Sequence, residues 1–214
     1  MDEEISLINT KTRNEKIKRF FIENIKSLIL SISIIIILVL SYYSYQIYKD
    51  GYRERLSDKY NNAVIEHKNG DKIKSLSIMK EIIKSEDSTY SPLALYYLID
   101  NSLIENLEET NELFDILIKK TSLEKEIKNL IIYKKALYNS DFVNENNLLN
   151  ILNPLINSES IWKSHALYLI GEYFYSKNEK QKSKEFFSKI ISEENSNTEI
   201  IKAARIRLDR DLSE

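Results

Sequence analysis

Residues 27–48 read SLILSISIIIILVLSYYSYQIY, an uncharged stretch bounded by Lys26 and Lys49. At about 1.5 Å per helical residue, this stretch would span roughly 33 Å, enough to cross a hydrocarbon core of about 30 Å. The aliphatic residues from Leu28 to Leu40 favour insertion by on the order of 3–6 kcal/mol, with no charge to oppose them. The stretch therefore predicts one transmembrane helix that anchors the chain.

The alternative is a cleaved signal peptide, whose apolar region is shorter and ends at a small-residue cleavage site. Here the apolar run continues into tyrosines, at positions 42, 43, 45 and 48, and no A-x-A pattern follows it. Tyrosine rings favour the membrane interface. The chain contains no cysteine, which excludes a lipid-modified cysteine anchor. The pattern favours a retained anchor.

The charges around this stretch predict its orientation. The amino-terminal side carries more Lys and Arg than the carboxyl side: Lys11, Arg13, Lys16, Lys18, Arg19 and Lys26 against Lys49, Arg53, Arg55 and Lys59. Positive residues stay in the cytoplasm. We therefore expect a charged cytoplasmic tail at residues 1–26, the transmembrane helix at 27–48 and a translocated domain at 49–214, periplasmic if the cell is bacterial.

The composition beyond the anchor indicates an all-α domain. The whole chain of 214 residues has three Gly and two Pro, too little turn chemistry for a many-stranded sheet. A net charge of −2 provides no basic surface for nucleic acid. Apolar periodicity predicts helices in pairs: Arg53–Lys68 with Asp71–Ser85, Pro92–Glu105 with Glu108–Lys120, Leu123–Asn139 with Asn144–Ile156, and Ile161–Lys177 with Lys180–Ser192, closed by Thr198–Leu212.

The helix pairs recur with a period. Setting Ala94 on Ala166 aligns SPLALYYLI with SHALYLI at an offset of two units of about 36 residues, which is typical of helical-hairpin repeats. The fourth pair fits the tetratricopeptide pattern best, with Leu167, Ile170, Gly171, Phe174, Ser183, Phe187 and Ile190 in successive positions. In this pattern a small residue on the first helix admits close approach of the second, so Gly171 and Phe187 should meet between the two helices. The first pair fits with Ala63, Gly70, Ser75, Met79 and Ile82. The middle pairs are degenerate, so we expect a divergent tetratricopeptide-like solenoid.

The order of these segments resembles the YfgM-like family of membrane-anchored tetratricopeptide proteins, which includes the ancillary subunit of the bacterial Sec translocon. The resemblance rests on RNEKIKRFF at residues 13–21, YYSYQIY at 42–48, KYNNAV, NGD and SIMKEII within 59–83, and STYSPLALYYLID at 88–100. It implies a bacterial inner-membrane protein whose repeats lie in the periplasm. It also implies an accessory chaperone that contacts translocon subunits, periplasmic folding factors and unfolded clients, with no active site to transfer.

Catalytic and metal chemistry has little support in the sequence. His67 and His165 are the two histidines, far apart in the chain, and no cysteine joins them in a zinc pattern. Acidic pairs such as Glu3-Glu4, Glu108-Glu109 and Glu193-Glu194 fall in a tail, cap or turn. We expect no enzyme activity, no cofactor, no metal, no nucleic acid and no small-molecule substrate.

The candidate site is a protein-binding face instead. Tyr96 and Tyr168 are equivalent at the repeat offset and map to the concave face of such arrays, where tyrosine suits recognition of partner segments. Nearby positions complete the set: Asp100, His165, Glu172 and Tyr175. The same tyrosines could equally pack between hairpins. A second functional hypothesis is an envelope scaffold that binds cell-division or cell-wall proteins.

Overall fold

The computed structural model describes residues 15–16 and 18–212, and these residues form helices, turns and loops without a strand. From Ile25 onward there are nine helices among them: α1 (Ile25–Lys68), α2 (Lys72–Lys84), α3 (Tyr90–Asp100), α4 (Leu107–Lys119), α5 (Lys125–Asn139), α6 (Glu145–Ile156), α7 (Lys163–Ser176), α8 (Lys180–Ser192) and α9 (Thr198–Asp211). The prediction of an all-α chain is confirmed. Most of the predicted cytoplasmic tail, including Lys11, Arg13 and the Glu3-Glu4 pair, lies outside the described residues.

The chain divides into two compact units, Met1–Arg55 and Leu56–Glu214. The first contains the apolar part of α1, which is long and apolar enough to cross a membrane. Its aliphatic side chains are exposed, as at Ile34 (50%) and Leu38 (63%). A run of exposed aliphatic side chains is unfavourable in water and is satisfied by lipid.

In the second unit, the helices pack in the order of the sequence. Each helix from α2 onward contacts the next, and three pairs also meet across one intervening helix: α2 with α4, α5 with α7, and α7 with α9. The buried side chains form clusters between neighbours. One cluster joins α5, α6 and α7 around Leu152 and Phe174, and another joins α7, α8 and α9 around Phe187 and Ala204.

Most predicted helix ends lie within a few residues of the observed ones, and a side-chain cap begins α2, α4, α6 and α9. The Asp71 and Asn106 side chains accept hydrogen bonds from the N–H groups of Lys74 and Glu109, both at 2.9 Å, and so begin α2 and α4. Asn178 (φ 61°) takes the left-handed conformation between α7 and α8.

The predicted end of the third helix at Glu105 is wrong, because α3 ends at Asp100. Ser102 adopts a left-handed conformation (φ 49°), and the Leu103 N–H donates to the Leu98 carbonyl at 2.9 Å. This arrangement closes a helix, but serine carries little of the sequence signal that Gly or Asn would give.

The contact between α7 and α8 depends on Gly171. A Cβ atom at this position would lie 2.8 Å from Cε1 of Phe187, closer than two carbon atoms can approach. The Ser183 hydroxyl donates to the Gly171 carbonyl at 2.9 Å, and all three residues are buried. The prediction that Gly171 and Phe187 meet between these helices is confirmed.

Candidate protein-binding face

Two of the predicted site residues, Tyr96 and Asp100, lie on α3 beside a cavity of about 220 Å³. Ile99, Phe114 and Leu137 supply apolar walls from α3, α4 and α5. Lys134 of α5 places its Nζ atom 4.5 Å from the centre of the Tyr96 ring. The cavity thus combines an apolar interior with one cation and one carboxylate.

The Tyr96 hydroxyl is buried and has no hydrogen-bond partner. Burial, and then the Asp100 charge, raise the pKa of the Tyr96 phenol well above its usual range, so it stays protonated. A buried hydroxyl without a partner costs about 1–3 kcal/mol relative to a satisfied one. Such a cost in a native fold calls for a physical explanation.

His165 lies near the start of α7, in a separate aromatic cluster. Its ring centre is 5.0 Å from that of Trp162 and 5.8 Å from that of Tyr133, and the Tyr133 and Trp162 rings stack. The Trp162 indole N–H donates to the Glu126 carbonyl at 3.2 Å. Burial lowers the pKa of His165, and the Ile161 backbone offsets part of this effect. The ring is therefore neutral at pH 7.

The remaining predicted residues, Tyr168, Glu172 and Tyr175, lie on α7 and are engaged by α9. Arg207 forms a bidentate pair with Glu172, with both N–O distances at 2.6 Å. The same guanidinium lies 4.9 Å from the centre of the Tyr175 ring and donates to Asp211 at 2.8 Å. Tyr168 and Tyr175 also pack against the cluster formed by α7, α8 and α9.

The charges around Arg207 reinforce this contact. Glu172, and then Asp211, raise the pKa of the Arg207 guanidinium. Burial raises the pKa of the Tyr168 phenol first, Glu172 adds to the effect, and Arg207 opposes it. The tyrosines of α7 thus contribute to packing against the last helix, which was one of the two readings that the sequence left open.

The six predicted residues therefore fall into three places: the α3–α5 cavity, the Trp162 cluster and the α7–α9 contact. Two residues that engage them, Lys134 and Arg207, were missed. Each lies more than thirty positions from its partner, so no local spacing indicates the contact. The Arg207 and Asp211 pair does have the i,i+4 spacing of a helical ion pair, which was a usable signal.

The second histidine, His67, lies apart from these three places. His67 lies 2.7 Å from the Tyr97 hydroxyl through its Nδ1 atom, so it bonds within the fold. The described residues contain no group of three or more His, Asp or Glu side chains that could hold a metal ion.

Comparison with protein-family models, curated proteins and solved structures finds no match.

Proposed function

We propose that this protein is a non-enzymatic interaction scaffold, tethered to the bacterial inner membrane by α1, with tetratricopeptide-like repeats in the periplasm. In this proposal it acts as an accessory chaperone beside the Sec translocon. Its partners are translocon subunits, periplasmic folding factors and unfolded clients, and it uses no nucleic acid, cofactor or small-molecule substrate.

The observation that carries the proposal is the contact between α7 and α8. A glycine on the first helix admits an aromatic ring from the second, and the pair is fixed by the Ser183 hydrogen bond. Sequential packing of α2–α9 adds support, because arrays of helical hairpins present extended surfaces to other proteins. The long apolar helix supports tethering.

Co-purification after gentle solubilisation of native membranes tests the partner. Translocon subunits recovered with the protein would support the proposal, whereas cell-division or cell-wall proteins would support the envelope scaffold instead. Gly171→Leu provides a control, because it disrupts the hairpin contact while leaving α1 unchanged.

Topology is tested separately with spheroplasts. Protease added from outside should digest the segment after α1 while the membrane stays sealed, because the Lys and Arg bias places the amino terminus inside. If digestion requires permeabilised membranes, the orientation is reversed and the translocon proposal is wrong.

A further inference from the structure

We propose that the α3–α5 cavity is the anchor point for a partner polypeptide, and that it accepts one large apolar residue flanked by an acidic and a basic residue. This inference rests on the proposed role as an interaction scaffold. The cavity is then the part of the candidate face that contacts the partner, and its lining determines the chemistry of the bound segment.

The size of the cavity indicates a side chain as occupant. Sites for small molecules occupy about 300–1,000 Å³ and enclose most of the ligand. At about 220 Å³ this cavity is below that range. Leu137 lines the cavity and is 49% exposed, so the cavity has an apolar edge that is open to solvent. One aliphatic or aromatic side chain can enter while the rest of the segment stays outside.

The charges at the cavity indicate what flanks that side chain. Lys134 touches the Tyr96 ring, and neither Lys134 nor Asp100 forms an ion pair with any described residue. The neighbouring lysine on α5 differs, because Lys135 pairs with Asp115 at 2.7 Å. An acidic residue of the partner would complement Lys134, and a basic one would complement Asp100.

The α7–α9 contact offers a comparison with the α3–α5 cavity. In this contact the chain itself supplies a partner for the carboxylate that corresponds to Asp100. Glu172 lies at the repeat offset from Asp100, as Tyr168 does from Tyr96. At α7, the guanidinium of Arg207 pairs with Glu172 and fills the space beside the tyrosines. At α3, Lys134 lies against the Tyr96 ring, but no side chain among the described residues pairs with Asp100, and the cavity remains. A partner segment can supply the missing apolar group and charges.

The Tyr96 hydroxyl also favours a bound partner segment at this cavity. Tyr96 lines the cavity, its hydroxyl is buried without a hydrogen-bond partner, and Lys134 Nζ lies 4.5 Å from the centre of its ring. A bound segment that enters the cavity can bring a hydrogen-bond acceptor to the Tyr96 side chain. An acceptor on the bound segment would then satisfy a group that the free protein leaves unsatisfied.

Photo-crosslinking with defined peptides tests the inference, using the full chain in detergent micelles. The probe is a Gly-Ser peptide with a central photo-leucine flanked by Glu and Lys. Mass spectrometry should map its crosslinks to the cavity residues of α3 and α5. Lys134→Glu should lower the yield about tenfold and shift preference to a peptide flanked by Lys on both sides, because the charge at the rim is reversed.

Lys128→Glu is the matched control, since it makes the same charge change on α5 away from the cavity and should leave the yield unchanged. Thermal melts of both variants verify the fold. If Lys134→Glu unfolds the chain, Asp100→Lys replaces it, with preference shifting to a peptide flanked by Glu on both sides. Crosslinks elsewhere, or an unchanged preference, would overturn the inference, and so would equal labelling by free photo-leucine. Recovery of translocon subunits by the same variants would then leave the proposed function intact.

Discussion

The contact between Gly171 and Phe187 can be tested with a double-mutant cycle. Gly171→Ala should destabilise the protein when the Phe187 ring is present and stabilise it when the ring is removed. Phe187 is fully buried and packs 5.3 Å from the Tyr168 ring centre. Truncating such a ring to alanine costs about 3–5 kcal/mol. For a unit of this size, about 2–4 °C per kcal/mol predicts a fall in melting temperature of roughly 6–20 °C for Phe187→Ala.

Gly171→Ala produces two opposing effects. The new Cβ would meet three ring atoms of Phe187 at 2.8, 3.0 and 3.0 Å. Overpacking of this kind costs about 1–3 kcal/mol, because the ring is held on its other side. Alanine gains about 1 kcal/mol over glycine in a helix interior. The single variant should therefore lose up to about 2 kcal/mol.

In the Phe187→Ala background the ring is absent, so only the helix-propensity gain remains. There Gly171→Ala should stabilise the protein by up to about 1 kcal/mol, which gives a coupling energy of about 1–3 kcal/mol for the pair. The assay is urea unfolding of the full chain in micelles, followed by circular dichroism, for the four members of the cycle.

Gly51→Ala is the matched control, since a Cβ there meets only Arg55 Nη1 at an ordinary 3.8 Å. It should be neutral or slightly stabilising. Additive effects of the two substitutions at Gly171 and Phe187, with no change of sign, would refute the close contact between α7 and α8.

Three further outcomes follow from the candidate face. Tyr96→Phe should raise the free energy of unfolding by about 1 kcal/mol, because it removes a buried hydroxyl without a partner; a loss in urea titration would mean that the hydroxyl is satisfied. The lowered pKa of His165 means that protons bind the unfolded chain more tightly, so stability should fall as pH drops below about 6.5. Comparing urea midpoints at pH 7.5 and 5.5 should show a smaller difference in His165→Gln, and equal differences would contradict the buried ring. Arg207→Met should cost about 1–3 kcal/mol, because the carboxylates of Glu172 and Asp211, both mostly buried, lose the Arg207 guanidinium; melts at low and high salt should show a smaller salt dependence in the variant than in wild type.

Several elements were predictable from the sequence because they depend on interactions between neighbouring residues. The apolar stretch of α1, the capping residues Asp71 and Asn106, and the left-handed Asn178 act over a few residues. The pairing of Gly171 with Phe187 was also predictable, because the sequence pattern of this helix pair puts a small residue on one helix where an aromatic residue of the next helix packs. The end of α3 was not, since Ser102 carries little of the signal of the conformation it adopts.

The sequence by itself determined a helical chain with one segment able to span a membrane, because insertion and helix formation depend on neighbouring residues. Only the tertiary structure decided what the candidate tyrosines contact. Arg207 reaches Glu172 and Tyr175 from another helix, whereas Lys134 covers Tyr96 and leaves a cavity. Positions 72 residues apart in the sequence thus differ because the angle and spacing between packed helices, set by many distant side chains, determine which groups meet.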